Sequence, residues 1–171
     1  LLDFESAREH LVQAYTLAKK ASAEFVSNNI AGYLAEAHLR LNELDRAQSI
    51  LQERRTDESR LNSEALRKLE MTHAELLLKQ GQFQQALDLV RRMIAATPHT
   101  ERGGVSPSLW LLHAQALRAL ERNPEAERLL RESLDAALAS HLLPVAWRIR
   151  LELGLTLRAM RRLTEAQEQW S

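Results

Sequence analysis

The chain has 171 residues, 45% hydrophobic and 27% charged, which excludes a disordered tail and is enough to bury a core. Lys plus Arg and Asp plus Glu each total 23, and a chain without basic excess is a poor candidate for nucleic acid, where phosphate contacts supply most of the affinity. The absence of cysteine excludes disulfides, thiolate metal sites and cysteine nucleophiles, and fits a cytoplasmic setting.

Leu, Ala, Glu, Gln and Arg dominate, and aromatics are only 5%, so the composition favours helices from the outset. No apolar run reaches the roughly 18–20 residues that cross a bilayer. The opening LLDFESAREH lacks the basic-then-apolar layout of a signal peptide, lacks Met, and starts inside a helical pattern. The chain is therefore expected to be a piece of a larger protein.

In order, the amphipathic segments begin with helices expected at about 3–20, 22–41 and 44–55. AGYLAEAHLRL (31–41) places apolar residues at i, i+3, i+4 and i+7, and LDRAQSILQE (44–53) repeats the pattern after a break near Asn42. Helices at about 58–80 and 83–96 follow, with Gly81 suited to the left-handed conformation of the break. TPHTERGGVSP (97–107) reads as a loop. Helices at about 107–121 and 124–140 are divided at Asn123-Pro124, since Pro suits a first turn and disfavours helix before it. SHLLP (140–144) is the next expected loop, before helices at about 145–161 and 164–171. About nine helices and no strand are expected.

These segments repeat. Ala7, Ala47, Ala86, Ala126 and Ala166 are spaced by 40, 39, 40 and 40 residues. Phe4, Leu44, Phe83, Asn123 and Leu163 precede them by three, and Leu11, Leu51, Val90, Leu130 and Trp170 follow by four. A second small residue stands twelve before the last four, namely Ala35, Ala74, Ala114 and Gly154, with His38, Leu77, Leu117 and Leu157 three further on. Each unit reads as two antiparallel helices crossing at small residues, where the backbones approach closely. A single pair cannot bury its apolar faces, so neighbouring pairs must stack.

HAELLLKQGQFQQALDLV (73–90) carries Ala74, Gly81, Phe83 and Ala86 in order, with Pro98 beyond them; Trp110 stands four residues before Ala114, and LELGLTLRAMRRLTEA (151–166) has Gly154 in the small position. This pattern resembles the tetratricopeptide repeat. The resemblance implies an all-α, right-handed superhelical solenoid of antiparallel helix pairs, one domain over 1–171. Its units are expected at about 1–21 (partial), 22–56, 57–98, 106–141 and 144–171 (partial). The common repeat has about 34 residues. The longer form here is similar to the repeats of large signalling ATPases and of maltose-regulator-type transcription activators. HEAT and armadillo repeats share the long period but lack small residues paired twelve apart.

In that family the exposed side of the first helices lines a concave groove. The residues that fall there are Tyr33, Glu36 and Arg40, then Glu75 and Lys79, then Gln115 and Arg118, then Leu151 and Arg158, with Met71 and Leu112 along the same helices. A column of Arg40, Lys79, Arg118 and Arg158 suits an acidic peptide or another domain of the parent protein, with Tyr33 and Leu151 as apolar anchors. The competing reading is local, because Glu with Lys or Arg four residues later stabilises a helix by about 0.2–0.5 kcal/mol. Gly32, Thr72 and Leu112 stand where the family's clamp for chaperone C-termini needs Lys, Asn and Arg, so that activity is not expected.

Chemistry is not indicated elsewhere. His38 shares its register with Leu77, Leu117 and Leu157, and His73 and His113 share theirs with Leu34 and Leu153, which suits packing and not metal binding. Glu125/Glu127 and Asp57/Glu58 fall in helix first turns, where the helix dipole favours acids. Gly103-Gly104 lacks the Lys-Ser/Thr of a phosphate loop. The expectation is a protein- or peptide-binding scaffold with no catalytic residue, metal or cofactor. The alternative is a sensor or autoregulatory module of a signal-transducing ATPase or transcription regulator. Self-association is expected through open apolar ends at Leu11, Tyr15, Leu163 and Trp170.

Overall fold

The computed structural model describes residues 3–54, 64–97 and 106–170. Among these residues there are nine α-helices and no strand: α1 (Phe4–Lys20), α2 (Glu24–Arg40), α3 (Leu44–Glu53), α4 (Glu64–Lys79), α5 (Phe83–Ala95), α6 (Pro107–Ala119), α7 (Asn123–Ala139), α8 (Leu143–Ala159) and α9 (Leu163–Glu168). The start expected for α4 near 58, the Asp57/Glu58 pair, Pro98 and the Gly103-Gly104 loop lie outside the described residues. Two compact units divide at the turn between α4 and α5, Leu1–Gln80 and Gly81–Ser171.

In the first unit α2 packs against α1, α3 and α4. Its core joins Leu34 and Leu39 of α2 to Leu51 of α3 and Leu69 and Leu76 of α4. In the second unit α6 packs on α5, α7 and α8, while α7 and α9 flank α8. Leu111, Leu112 and Leu117 of α6, Leu130 of α7 and Ile149, Leu153 and Leu157 of α8 are buried there. First helices thus stack on first helices, α2 with α4 and α6 with α8. This is an all-α helical-repeat fold.

The repeat alanines occupy the crossings. Ala35, Ala47, Ala74, Ala86, Ala114 and Ala126 are all 0% exposed. Gly154 is buried with Trp170 packed so close that a Cβ there would lie 2.1 Å from the indole nitrogen. Ala7 is the exception: it is exposed, because no described helix covers that face of α1. Tyr15 also departs from expectation. It is 8% exposed, since its hydroxyl accepts from Arg54 Nε (2.8 Å) and donates to Glu53 (3.3 Å), while Lys19 and Arg54 sit 5.5 and 5.2 Å from its ring centroid.

One turn recurs at six of the connections between the described helices. Ser22, Asn42, Glu121, His141 and Arg161 all have φ between 51 and 62°, and Gly81 has φ 75°. Asn42 N–H returns to Leu39 O (3.2 Å) and Glu43 N–H to His38 O (2.8 Å); Glu121 and Arg122 do the same to Arg118 O and Leu117 O, each at 2.9 Å. This paired return satisfies carbonyls that the helix end would leave open. The break expected at Asn123-Pro124 therefore falls two residues earlier, at Glu121, and Asn123 opens α7 with Pro124 in its first turn. Likewise the loop expected over 140–144 shrinks to Ser140–Leu142, with Pro144 inside the first turn of α8.

Charged contacts join successive second helices in a fixed register. Arg8, one residue after Ala7, pairs with Glu43, four before Ala47 (3.0 Å). Glu127, one after Ala126, pairs with Arg162, four before Ala166 (2.6 Å). The same contact is made with the charges exchanged.

Ala86→Leu and Ala126→Leu should each overpack a crossing and cost about 1–3 kcal/mol. Gln85→Leu, on an exposed position, should stay within about 0.5 kcal/mol, both read from urea midpoints. Glu127→Leu is not a neutral control, because Glu127 also holds Arg131 (2.8 Å). Equal midpoints for the three variants would contradict this packing. Glu121→Gly should raise stability by about 0.5–1 kcal/mol by relieving a left-handed non-glycine residue, and a lowered midpoint would contradict the turn geometry.

Candidate interaction faces on the first helices

In the first unit, Tyr33, Glu36, Arg40 and Glu75 come together between α2 and α4, with Lys68 as a fifth member. Glu36 accepts from Arg40 (3.0 Å) and from Lys68 (2.5 Å), and Arg40 reaches on to Glu75 (3.0 Å). The four charges alternate in sign from Lys68 to Glu75. Burial alone would raise the Glu36 carboxyl, but hydrogen bonds and charge from Lys68 and Arg40 outweigh it and hold Glu36 below the usual carboxylate range. Burial likewise opposes the Arg40 charge, and Glu75 with Glu36 more than offsets it. Tyr33 stays 52% exposed with the Lys68 ammonium 5.1 Å from its ring centroid. Lys79 is exposed one turn beyond Glu75.

In the second unit, Gln115 and Arg118 of α6 converge on Glu152 of α8. Gln115 donates to one carboxylate oxygen (3.3 Å) and Arg118 Nε to the other. Glu152 is 5% exposed, so Arg118 supplies the countercharge that permits its burial. Leu151 is 41% exposed and Arg158 is exposed at the end of the same helix. Leu112, expected along this side, is buried.

Lys68, Glu152, Leu143 and Trp147 are not picked out by the repeat pattern. Glu152 carried a signal, since it occupies the register of Leu112, where an acid must find a partner. Trp147 carried another. α8 has two apolar stripes, and the second runs Leu143, Trp147, Leu151 at intervals of four. Only the stripe of Ala146, Ile149, Leu153 and Leu157 is buried; Leu143 and Trp147 are 65% and 67% exposed.

His38, His73 and His113 pack as side chains. His38 is buried and bonds Glu43 (2.5 Å), His73 approaches Glu70 (3.5 Å), and His113 stacks on Trp110 with centroids 5.9 Å apart. Among the described residues no group of three or more His, Asp or Glu is placed to hold a metal, and no helix is long and apolar enough to cross a membrane.

No family model and no curated protein matches the chain. Solved structures do. A putative kinesin light chain of Podospora anserina, with nearly identical TPR-like repeats, superposes with TM-score 0.67 at 20% identity, over 98% of this chain and 83% of that one. The fold is that of TPR-type helical repeats. PlcR of Bacillus thuringiensis, solved with the peptide PapR7 and DNA, matches over 95% of this chain and 62% of its own, with TM-score 0.65 and 12% identity. MamA of MSR-1 matches over 95% and 92%, with TM-score 0.54 and 16% identity. At these identities the TPR-like likeness is one of fold.

His113 offers a pH test. Both ring nitrogens are buried without a hydrogen-bond partner, and burial, then Arg91 of α5 and Arg122 before α7, push its pKa down, with Glu125 opposing weakly. The folded chain therefore takes up this proton less readily than the unfolded chain. The stability due to neutral His113 is complete above the unfolded value of about 6.5 and is lost as pH falls below it. His113→Leu should flatten the urea midpoint against pH below about 6.5. An unchanged acid slope would show that His113 is not the group responsible.

Proposed function

We propose that this chain is a protein- or peptide-binding helical-repeat module that holds a partner and performs no chemistry on it. The carrying observation is the exposure of large apolar side chains on the first helices beside charged ones, Tyr33 on α2 and Leu151 with Trp147 on α8. Apolar groups left open at such positions mark interaction surfaces. The face in the first unit is formed by Tyr33, Glu36, Arg40, Glu75 and Lys79, and that in the second by Gln115, Arg118, Leu151 and Arg158. Arg40 and Arg118 already have carboxylate partners, so Lys79 and Arg158 are the cations of these two faces best able to meet an acidic ligand. PlcR, which shares the fold, was solved with a peptide as well as DNA. Zero net charge supports the peptide reading for this chain.

Selection of a displayed random peptide library on the intact chain tests this. The selected peptides should be rich in Asp and Glu and should weaken as salt rises. Tyr33→Ala should lower the affinity of peptides held by the first face, and Arg158→Glu that of peptides held by the second, each by about two- to fivefold at unchanged helix content. Arg118→Glu is unsuitable, because it would set a second carboxylate against buried Glu152. Failure to enrich any peptide, or equal binding by both variants, would overturn the proposal.

A further inference from the structure

We propose that His113 is an acid-sensitive latch between α5 and α6 that loosens the second unit, and with it the face formed by Gln115, Arg118, Leu151 and Arg158, as the solution turns mildly acid. The effect on that face rests on the interaction-module reading. The latch itself rests on the packing of the second unit.

The repeat register shows what sets this histidine apart. His73 of α4 and His113 of α6 each stand one residue before the small residue of the crossing, Ala74 or Ala114. Three residues before each histidine the two helices differ, with Glu70 on α4 and Trp110 on α6. A spacing of three makes the two side chains neighbours on one helix face. In the first unit a carboxylate therefore stands beside the imidazole, Glu70 to His73 at 3.5 Å. In the second unit an indole takes its place, with ring centroids 5.9 Å apart and 18° between the planes. Both nitrogens of His113 are buried without a hydrogen-bond partner. Of the five described histidines it alone is so placed, since His38 bonds Glu43 (2.5 Å) and His10 and His141 are exposed to water.

The neighbours disfavour a proton here. His73 shares the α3–α4 cleft with Leu51 and Arg54, and the matching place in the second unit lies between α5 and α6. Arg91 of α5 and Arg122 of the turn before α7 both oppose a charge on His113. Glu125 of α7 favours one, but both its oxygens accept from Arg122 (2.7 and 2.6 Å). From α8 the acid turned to α6 is Glu152, which Gln115 and Arg118 hold. The Trp110 face attracts a cation, yet it accepts neither N–H of a stacked imidazolium, because those bonds lie in the plane of the imidazole ring. Burial and the two arginines together hold His113 below the ordinary histidine value.

When α5 and α6 part, the imidazole reaches water and regains its ordinary value of about 6.5. The open form then binds a proton that the closed form excludes. Acid therefore favours the open form, by up to about tenfold for each pH unit below about 6.5. In the first unit protonation of His38 or His73 leaves an ion pair and not a bare charge. α6 also carries Gln115 and Arg118, whose bonds to Glu152 seat it on α8, so movement of α6 disturbs the second face.

Hydrogen exchange of the intact chain at about pH 7.5 and about pH 5.5, corrected for the intrinsic rate at each pH, tests the latch. Protection in α5 and α6 should fall by about three- to tenfold at the lower pH, and protection in α2 and α3 by less than about twofold. His113→Leu, which installs the residue present at Leu34 and Leu153, should remove the loss. Trp110→Glu should remove it by a second route, giving His113 the carboxylate that His73 has in Glu70. Loss of the indole also weakens packing, so the readout is the ratio between the two pH values within each variant. Library-selected peptides that depend on Arg158 should bind about three- to tenfold more weakly at the lower pH, and His113→Leu should bring that ratio below about twofold. The same peptides serve for both proteins, so titration of their own acids cancels in the comparison.

A loss of protection spread equally over both units, or one that survives His113→Leu or Trp110→Glu, would overturn the proposal. If protection falls as expected while the Arg158-dependent peptides bind equally well at both pH values, the module reading stands and this inference falls. If no peptide is enriched, the module reading falls, and the exchange ratios by themselves support or overturn the latch.

Discussion

Close approach at the helix crossings is the constraint on which the rest depends. Two helices can sit at 8–10 Å only where neither presents a bulky side chain. Alanine or glycine at two points, twelve residues apart, meets that condition once in each repeat. With the backbones this near, the leucines on either side interdigitate and exclude water, and the burial of Leu39, Leu76, Leu117 and Leu157 follows. The same closeness leaves three residues for each of the six short turns, so these turns take the left-handed form whether or not glycine is present. Glu121, His141 and Arg161 accept that conformation because packing on both sides fixes it.

Charges then set how one repeat addresses the next. Arg40 with Glu75 and Arg118 with Glu152 tie first helices together, and Arg8 with Glu43 and Glu127 with Arg162 tie second helices. Exposed pairs of this kind contribute little stability by themselves. Their larger effect is on register, since a carboxylate as buried as Glu152 tolerates only a geometry that keeps its cation. The exchange of sign between Arg8–Glu43 and Glu127–Arg162 shows that the contact belongs to the repeat position and not to one residue type. A basic side chain on a first helix is therefore as much part of the stacking as part of any ligand surface.

The period of the small residues made the fold legible. Alanines in phase over five units, with leucines at constant offsets, specify paired helices and their crossings through local spacing alone. Helix ends were less legible. Pro124 stands in the first turn of α7 as its sequence context indicates, whereas Pro144, which reads as the end of a loop, lies inside the first turn of α8, because proline in a first turn marks where a helix has begun and not where the last one stopped. Ala7 shows the limit of the pattern, since the register that buries Ala47 and Ala126 gives exposure where no described helix covers it.

The candidate faces were legible in part. Helical periodicity, a local property of the chain, was enough to pick out Tyr33, Glu36, Arg40, Glu75, Lys79, Gln115, Arg118, Leu151 and Arg158 as candidates on the first helices. It could not determine which charges are consumed by stacking. Glu36 has Arg40 four residues away but also meets Lys68, thirty-two residues on, and Arg118 meets Glu152, thirty-four residues on. Only the tertiary structure decided that Arg40 and Arg118 are paired while Arg158 is open, and that one of the two apolar stripes on α8 is buried. The reason is physical: the stripe a helix turns inward, and the partner a charge finds, are set by neighbours distant in sequence, where local spacing carries no information.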